Sequence, residues 1–509
     1  MLSLLPESGG PRLVAHAGLP PPGAGAQWDA ILVLLPPEIA PGRLPEMQRW
    51  RDLHTRGPRR HAEIRGTTLA HSRQCYAALG YCRADASEFE LLRVAGRLMQ
   101  QLFVNRPHPR RIAVLALVSG AARRQRWQEA LYAAASAHAM ELPTARATTN
   151  PQPPLRQVDV FAAHSLDTRR ATIAADAGNL VRHLTTLPPN VLDAGGYRRA
   201  LQRLARLHGL TLRWFDERRL AKLGAGAFLA VSRGNAARDA GIAHLSYRPR
   251  GRARAKSTGR AAVTLVGKGI LFDTGGTNLK SHRSMLDMHT DMAGSAVALA
   301  SLVALARLKV PWRVDAWLAI TENSIGPSAY RPQEVVRASN GTTIQVIHSD
   351  AEGRMVLADT LALAARDNPG LIVDYATLTG ACVNALTERM SGVFCNRDSL
   401  TAPVLAAGRD SGERVWNFPL DADYDTDIES STADVAQCAV DGKGDHILAA
   451  RFLQRFLPPQ QSWVHVDLAS ATRRGGLAHV PTEITGFGVR FTLSLLLDQG
   501  LDPLQVRAA

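Results

Sequence analysis

Short apolar runs alternate with longer stretches of helical periodicity along almost the whole chain. In the first third, the runs at residues 30–35 and 112–118 predict buried strands. The Ala/Arg-rich stretches 89–103 and 125–140 predict helices, and such alternation is that of a small α/β domain. Residues 147–155, rich in proline and turn formers, predict a loop. A helix is predicted over 167–187, stopped by Pro188 and Pro189. Further on, strands are predicted at 263–266, 314–320, 344–347, 371–376 and 463–468. These are apolar throughout, so both faces must be covered, as in the central sheet of a larger α/β unit. The expectation is a small N-terminal α/β domain over residues 1–168, then a larger C-terminal α/β domain over 169–509. The latter would carry a central mixed sheet flanked by helices.

Composition narrows the class. Of 509 residues, 46% are hydrophobic and 21% charged, which excludes a disordered or fibrous chain. Uninterrupted apolar runs stop well short of the ~18 residues of a membrane span, so no membrane partner is expected. The N-terminus lacks the basic start and sustained apolar stretch of a secretory signal. Cys75, Cys82, Cys382, Cys395 and Cys438 form no CxxC pair, which suits reduced thiols in a cytoplasmic protein.

The net charge is +15, and 54 of the 60 basic residues are arginine. Lysine occurs only at 222, 256, 268, 280, 309 and 443, so each surviving lysine carries information. Residues 1–168 hold 20 arginines against 13 acids, and the segment 248–260 carries six positive charges and no acid. A solvated surface explains both. Contact with DNA is the alternative they leave open.

Candidate chemistry is concentrated in three segments: GKGILFDTGGTNLK (267–280), MLDMHTDMAGSA (285–296) and SDAEGRMVLAD (349–359). Glycines flank Lys268 and follow Asp273, so the backbone there can turn tightly and leave room for side chains. Lys268 and Asp273 fall beyond the apolar run ending at Val266, and Asp350 and Glu352 beyond that at 344–347. Strand ends are where open α/β sheets place their sites. Taken singly, Asp291 and Glu352 read as acids at helix N-termini, stabilised by the helix dipole. Taken together, four carboxylates repel unless cations neutralise them, and hard oxygen ligands suit Mg, Mn or Zn. Two ions sharing carboxylates would make a two-metal hydrolytic site. GxSxG, HExxH and P-loop motifs are absent from the sequence.

At these segments, and at ATLTGA (376–381), the chain resembles the leucyl aminopeptidase family, the cytosol aminopeptidases. Weaker likeness includes RPQEVVRASNG, WVHVDLAS and TGFGVR. The resemblance implies a metal-dependent aminopeptidase that releases N-terminal residues from peptides by attack of a metal-activated hydroxide. It implies that Lys268, Asp273, Asp291 and Glu352 hold a tighter metal ion, and Asp273, Asp350 and Glu352 a looser one, as zinc or manganese. Lys280 would polarise the scissile carbonyl, and Arg354 would bind a bicarbonate that shuttles the proton. The substrate's free α-amine would ligate the looser metal. Met288, Thr377, Gly380 and Ala469 would line the pocket for the first side chain. A homohexamer is also implied. An aminopeptidase scaffold with an added or replacing DNA-binding role is the alternative.

Several positions depart from the family pattern. His348 and Ser349 replace an Asn-Thr pair, His289 a lysine, Ala293 a glycine, and Gln333-Glu334 a Gly-Asp. Ser470 and Thr472 stand where a glycine and often a larger residue follow DLA, and Thr472 would change the polarity of the pocket. None of these removes an implied ligand. His348 is expected to be a hydrogen-bonding or packed residue rather than an extra ligand.

Overall fold

The structure is a computed structural model that describes residues 2–7, 9–21, 24–42, 44–70, 74–147, 154–249, 259–501 and 503. Most of the loop expected at 147–155, and residues 250–258 of the arginine-rich segment, lie outside the described residues.

The N-terminal part folds around six strands: β1 (Arg12–Ala15), β2 (Ala30–Leu35), β3 (Ile64–Thr68), β4 (Tyr76–Tyr81), β5 (Arg111–Ala116) and β6 (Gln157–Phe161). Their order is β1-β6-β5-β2-β4-β3, parallel except for the edge strand β3. The predicted helices are Glu88–Asn105 and Ala121–Ala139, both apolar on the face toward this sheet. Ser87 and Glu90 close the first of them with a reciprocal capping box.

The predicted connecting helix spans Thr168–Thr186, and Asp167 caps it by accepting from the Arg170 N–H at 2.9 Å. Arg182 on this helix donates to the Ala137 carbonyl at 3.0 Å, tying the two parts of the chain together.

The remaining strands are β7 (Thr211–Asp216), β8 (Gly241–Tyr247), β9 (Val263–Asp273), β10 (Val314–Asn323), β11 (Val335–Arg337), β12 (Thr343–Gln345), β13 (Leu371–Ala376), β14 (Ser391–Cys395), β15 (Val415–Asn417), β16 (Val435–Ala436) and β17 (Ser462–Asp467). Eight form a mixed sheet ordered β15-β14-β17-β13-β9-β10-β8-β7, whose centre, β17 to β10, is parallel. The helix Ala293–Leu308 crosses from β9 to β10 and packs on one face. The helix Glu352–Ala365 precedes β13 and packs on the other. The chain therefore moves outward from β9 in both directions, which makes the C-terminal end of β9 a topological switch point.

Two expectations change. The strand predicted at 344–347 is the short β12, and it belongs to a separate three-stranded sheet, β11-β12-β16, rather than the central one. Only Ile344 of its three residues is buried, so it has one core contact to satisfy and no second face to cover. Lys268 lies inside β9 rather than beyond it, because the strand continues to Asp273. Within His282–Leu308, a window of 18 residues is apolar enough by length and composition to cross a membrane, with mean hydropathy 1.5. Yet 89% of that window is buried inside the protein, so it serves as core.

Candidate metal centre

Four parallel strands end at the same edge, and the side chains gathered there come from their last residues and the turns beyond. β9 ends at Asp273, β10 at Asn323, β13 just before Thr377, and β17 two residues before Ala469. β13 pairs with β9 only as far as Tyr375 opposite Gly267, and then the two strands part. Lys268 is the first residue beyond that pairing, and its ammonium donates to the Thr377 carbonyl at 2.8 Å across the opening.

The glycines beside Lys268 make no turn and leave no room. A Cβ at Gly267 would lie 2.5 Å from Ser295 Cα, so these glycines let the Ala293–Leu308 helix press against β9. Gly353 works likewise from the other side. A Cβ there would stand 2.6 Å from Lys268 Cε, so only glycine lets the lysine stem pass the Glu352–Ala365 helix.

The structure brings all seven implied metal and catalytic residues to this edge. Lys268 Nζ lies 2.8 Å from Asp291 Oδ2 and 3.0 Å from Glu352 Oε1. Lys280 Nζ lies 2.9 Å from Asp273 Oδ2 and 2.6 Å from Asp350 Oδ1. One ligand atom each from Asp273, Asp350 and Glu352 fall within 4.8 Å of one another. Thr377 Oγ1 donates to Asp291 Oδ1 at 2.7 Å. Arg354 follows Glu352 on the same helix, and its guanidinium is held by Asp445, with Nη2 2.7 Å from both carboxylate oxygens.

Two ammoniums are shared among four carboxylates, and the shortage of positive charge is visible in the acids. Burial, reinforced by Asp273, pushes Glu352 up to about 8. Burial pushes Asp291 up to about 6 even though Lys268 opposes it. Asp350 is raised by burial and by Asp273. Burial works against the charge on Lys268, but Asp291, Glu352 and Asp273 together hold its pKa well above the ordinary value. Asp291 Oδ2 and Asp350 Oδ1 are buried and meet their lysines at ion-pair distance without a well-directed hydrogen bond. Buried oxygen donors with surplus negative charge and unfilled lone pairs fit hard divalent cations.

Of the neighbours that set this geometry, Ser349 lies within one of the three motif segments, while Asn323 and Gln437 lie outside them. Asn323 Nδ2 donates to Asp273 Oδ1 at 2.8 Å and to the Ser349 carbonyl at 3.1 Å. Ser349 Oγ donates to the Gly275 carbonyl at 2.7 Å and accepts from the Asn278 N–H at 2.7 Å, pinning the turn before Asp350 to the turn after Asp273. Gln437 Oε1 accepts from the backbone N–H groups of Ile347 and His348, both at 3.0 Å. A polar residue ending the apolar strand β10 was the one available hint of Asn323; Gln437 and Asp445 gave none.

His348 Nδ1 accepts from the Asp350 N–H at 3.2 Å, the hydrogen-bonding role expected of it. Of the residues implied to line a side-chain pocket, Met288 sits half-buried in a short turn, Thr377 lies beside Asp291, and Ala469 is buried just after β17. Gly380 opens a helix, with nothing within 4 Å of where a Cβ would stand. The backbone of Thr472 bridges to Ile484. Ser470 is fully buried and its N–H donates to Ser391 Oγ.

Gln333, where the family pattern has glycine, adopts φ 74°, the left-handed region. That region costs a non-glycine residue about 1–2 kcal/mol, and glycine's extra freedom in the unfolded chain offsets about 0.5–1 kcal/mol. Gln333→Gly is therefore expected to stabilise the protein by about 0.5–1 kcal/mol, seen as a higher urea midpoint at unchanged slope. A lower midpoint would show that the left-handed turn carries no strain.

The cytosol aminopeptidase family, catalytic domain, matches residues 179–493. A probable cytosol aminopeptidase of Chlorobaculum tepidum is 39% identical over 321 residues, covering 62% of each chain. One of Solibacter usitatus is 41% identical over 334 residues, covering 65% of this chain and 67% of the relative. The chain thus spans about two thirds or somewhat less of the length of these relatives. A solved structure, "Bottromycin maturation enzyme BotP in complex with Mn", superposes with TM-score 0.78 at 30% identity, covering 92% of this chain and 98% of that one.

Proposed function

Because the chain belongs to the cytosol aminopeptidase family, we propose that it is a metal-dependent aminopeptidase acting on peptides with a free N-terminus. The observation that carries this reading is the buried cluster of four carboxylates sharing only two ammoniums. The manganese bound to BotP supports a divalent ion in the same fold. Lys268, Asp273, Asp291 and Glu352 would hold the tighter ion, and Asp273, Asp350 and Glu352 the looser, as zinc or manganese. Such ions would supply Lewis-acid polarisation of the scissile carbonyl and a water acidic enough to attack near neutral pH.

The remaining steps belong to the chain. Lys280, the more accessible of the two ammoniums, offers its N–H groups to the oxygen that gains charge as the carbonyl is attacked. Asp350 is the most exposed acid of the cluster, its side chain 26% accessible, so a substrate arriving from solvent meets it first. A free α-amine can give up its proton and ligate the looser ion beside Asp350, whereas an acetylated nitrogen has no basic lone pair to offer. Met288, Thr377, Gly380 and Ala469 shape the space for the first side chain, with the missing Cβ of Gly380 keeping it open. Residues 1–168 are assigned a regulatory or assembly role beside a catalytic unit at 169–509, in a cytoplasmic homohexamer.

The test is hydrolysis of a panel of aminoacyl amides and their N-acetylated counterparts, with metal content measured in parallel. Free substrates are expected to turn over in metal-loaded protein and to stop turning over after chelation. Acetylation is expected to lower kcat/KM by at least ~10³, the several kcal/mol carried by recognition of the amine. Equal rates on free and blocked substrates, or full activity in metal-free protein, would overturn the reading.

A further inference from the structure

The bicarbonate implied at Arg354 does not fit this chain, because the chain supplies its own anion. Arg354 is 2% exposed. Its Nη2 meets both oxygens of Asp445 at 2.7 Å, and its Nη1 donates to the Gln437 carbonyl at 3.2 Å. Both terminal nitrogens are thus engaged, the Nε–H is buried as well, and an almost wholly enclosed guanidinium offers no open pair of N–H groups to a dissolved oxyanion. Asp445 is the first residue of the helix Asp445–Gln454, reached through Gly442 and Gly444, both in the left-handed region at φ 67° and 60°. That turn sets the carboxylate facing the guanidinium.

We propose that Asp445 is a positioning residue that replaces the dissolved anion opposite Arg354, so that turnover is independent of bicarbonate. This rests on the aminopeptidase reading above. A carboxylate tethered in place competes at an effective concentration far above the millimolar level of dissolved bicarbonate. The same segment also braces the metal-binding turn, since the Gln437 side chain bonds Ile347, His348 and the Ala351 carbonyl. Asp445 thus fixes Arg354 while Gln437, eight residues earlier, fixes the backbone that presents Asp350 and Glu352.

The experiment compares metal-loaded wild type, Asp445→Ala and Asp445→Glu in carbonate-free buffer, with bicarbonate or an equal ionic strength of chloride added back. Bicarbonate binding is followed separately by calorimetry. Wild type is expected to bind no bicarbonate and to change rate less than ~2-fold, while Asp445→Ala loses at least ~10-fold in kcat with KM little altered. Bicarbonate, but not chloride, is expected to bind the alanine variant and restore its rate, and the glutamate variant to retain activity without it. Stimulation of wild type by bicarbonate, or an alanine variant that is fully active or is not rescued, would overturn the proposal alone. A metal-loaded wild type that cleaves no free aminoacyl amide would overturn the aminopeptidase reading, and this proposal with it.

Discussion

Replacing Lys268 with arginine is expected to empty the tighter cation site and reduce turnover by at least ~10². Charge is preserved, and arginine is otherwise the rule in this chain, so composition predicts no effect. Position 268 differs in two respects. A ligand there must offer a neutral nitrogen lone pair, which a guanidinium lacks at any accessible pH. The site is also closed sterically: Lys268 is 3% exposed, and its stem passes the position a Cβ would take on Gly353 at 2.6 Å. The larger, planar head group has no volume to enter without displacing the Glu352–Ala365 helix. Metal analysis and amide hydrolysis check the outcome, with circular dichroism to confirm the fold. Lys443→Arg is the control, since that side chain is 87% exposed and pairs only with Asp441. A Lys268→Arg protein with normal metal content and turnover would end the assignment of this lysine as a ligand.

Metal affinity is expected to rise steeply with pH. Glu352, raised to about 8, and Lys268, held higher still, both carry protons in the metal-free protein at neutral pH. Each must lose its proton to ligate, and every proton displaced makes affinity rise about tenfold per pH unit. Between the values of about 6 for Asp291 and about 8 for Glu352, two displaced protons predict that log Kd falls by about two per pH unit. A fall of about one per pH unit would mean that Lys268 keeps its proton and does not ligate.

The sign for stability runs the opposite way. A carboxyl group whose folded pKa is raised favours the metal-free fold below its unfolded value, and that contribution is lost as pH climbs toward about 8. The metal-free protein should therefore melt at lower temperature at pH 8 than at pH 5.5, and added Mn or Zn should raise Tm most at the alkaline end. A metal-induced shift that is largest in acid would contradict the protonation state of Glu352. Activity should follow, with a neutral-to-alkaline optimum.

The residues of the carboxylate–lysine cluster were readable because they lie within three short segments, and a lysine in an arginine-rich chain stands out. Their geometry was less readable. The glycines beside Lys268 suggest a turn to any local rule, whereas their use is to admit the helix Ala293–Leu308 from further along the chain. The strand at 344–347 has the apolar character of a core strand, yet its environment is set by β16, far away in the chain. Asn323, Gln437 and Asp445 are single polar residues whose partners are distant in sequence. Hydrophobic periodicity, which located the central strands β9, β10, β13 and β17 and the helices near 89–103, 125–140 and 167–187, carries no information about such pairs.

The small sheet has a consequence for how the site comes into being. β12 and β16 share only two paired residues, Ile344 with Val435 and Gln345 with Ala436. They are supported by Asp434 on Thr343 and Asp445 on Arg354, each spanning 91 positions of chain. Bringing such distant segments together carries a loop-closure entropy cost of about (3/2)RT ln n, but that cost is met once for the whole set. After the first contact forms, the others close only short residual loops, so the ladder, the carboxylate pairs and the Gln437 braces behave as one clasp. The turn bearing Asp350 and Glu352 is therefore fastened in a single closing step rather than residue by residue, and the cluster at the strand ends is complete only once that step has occurred.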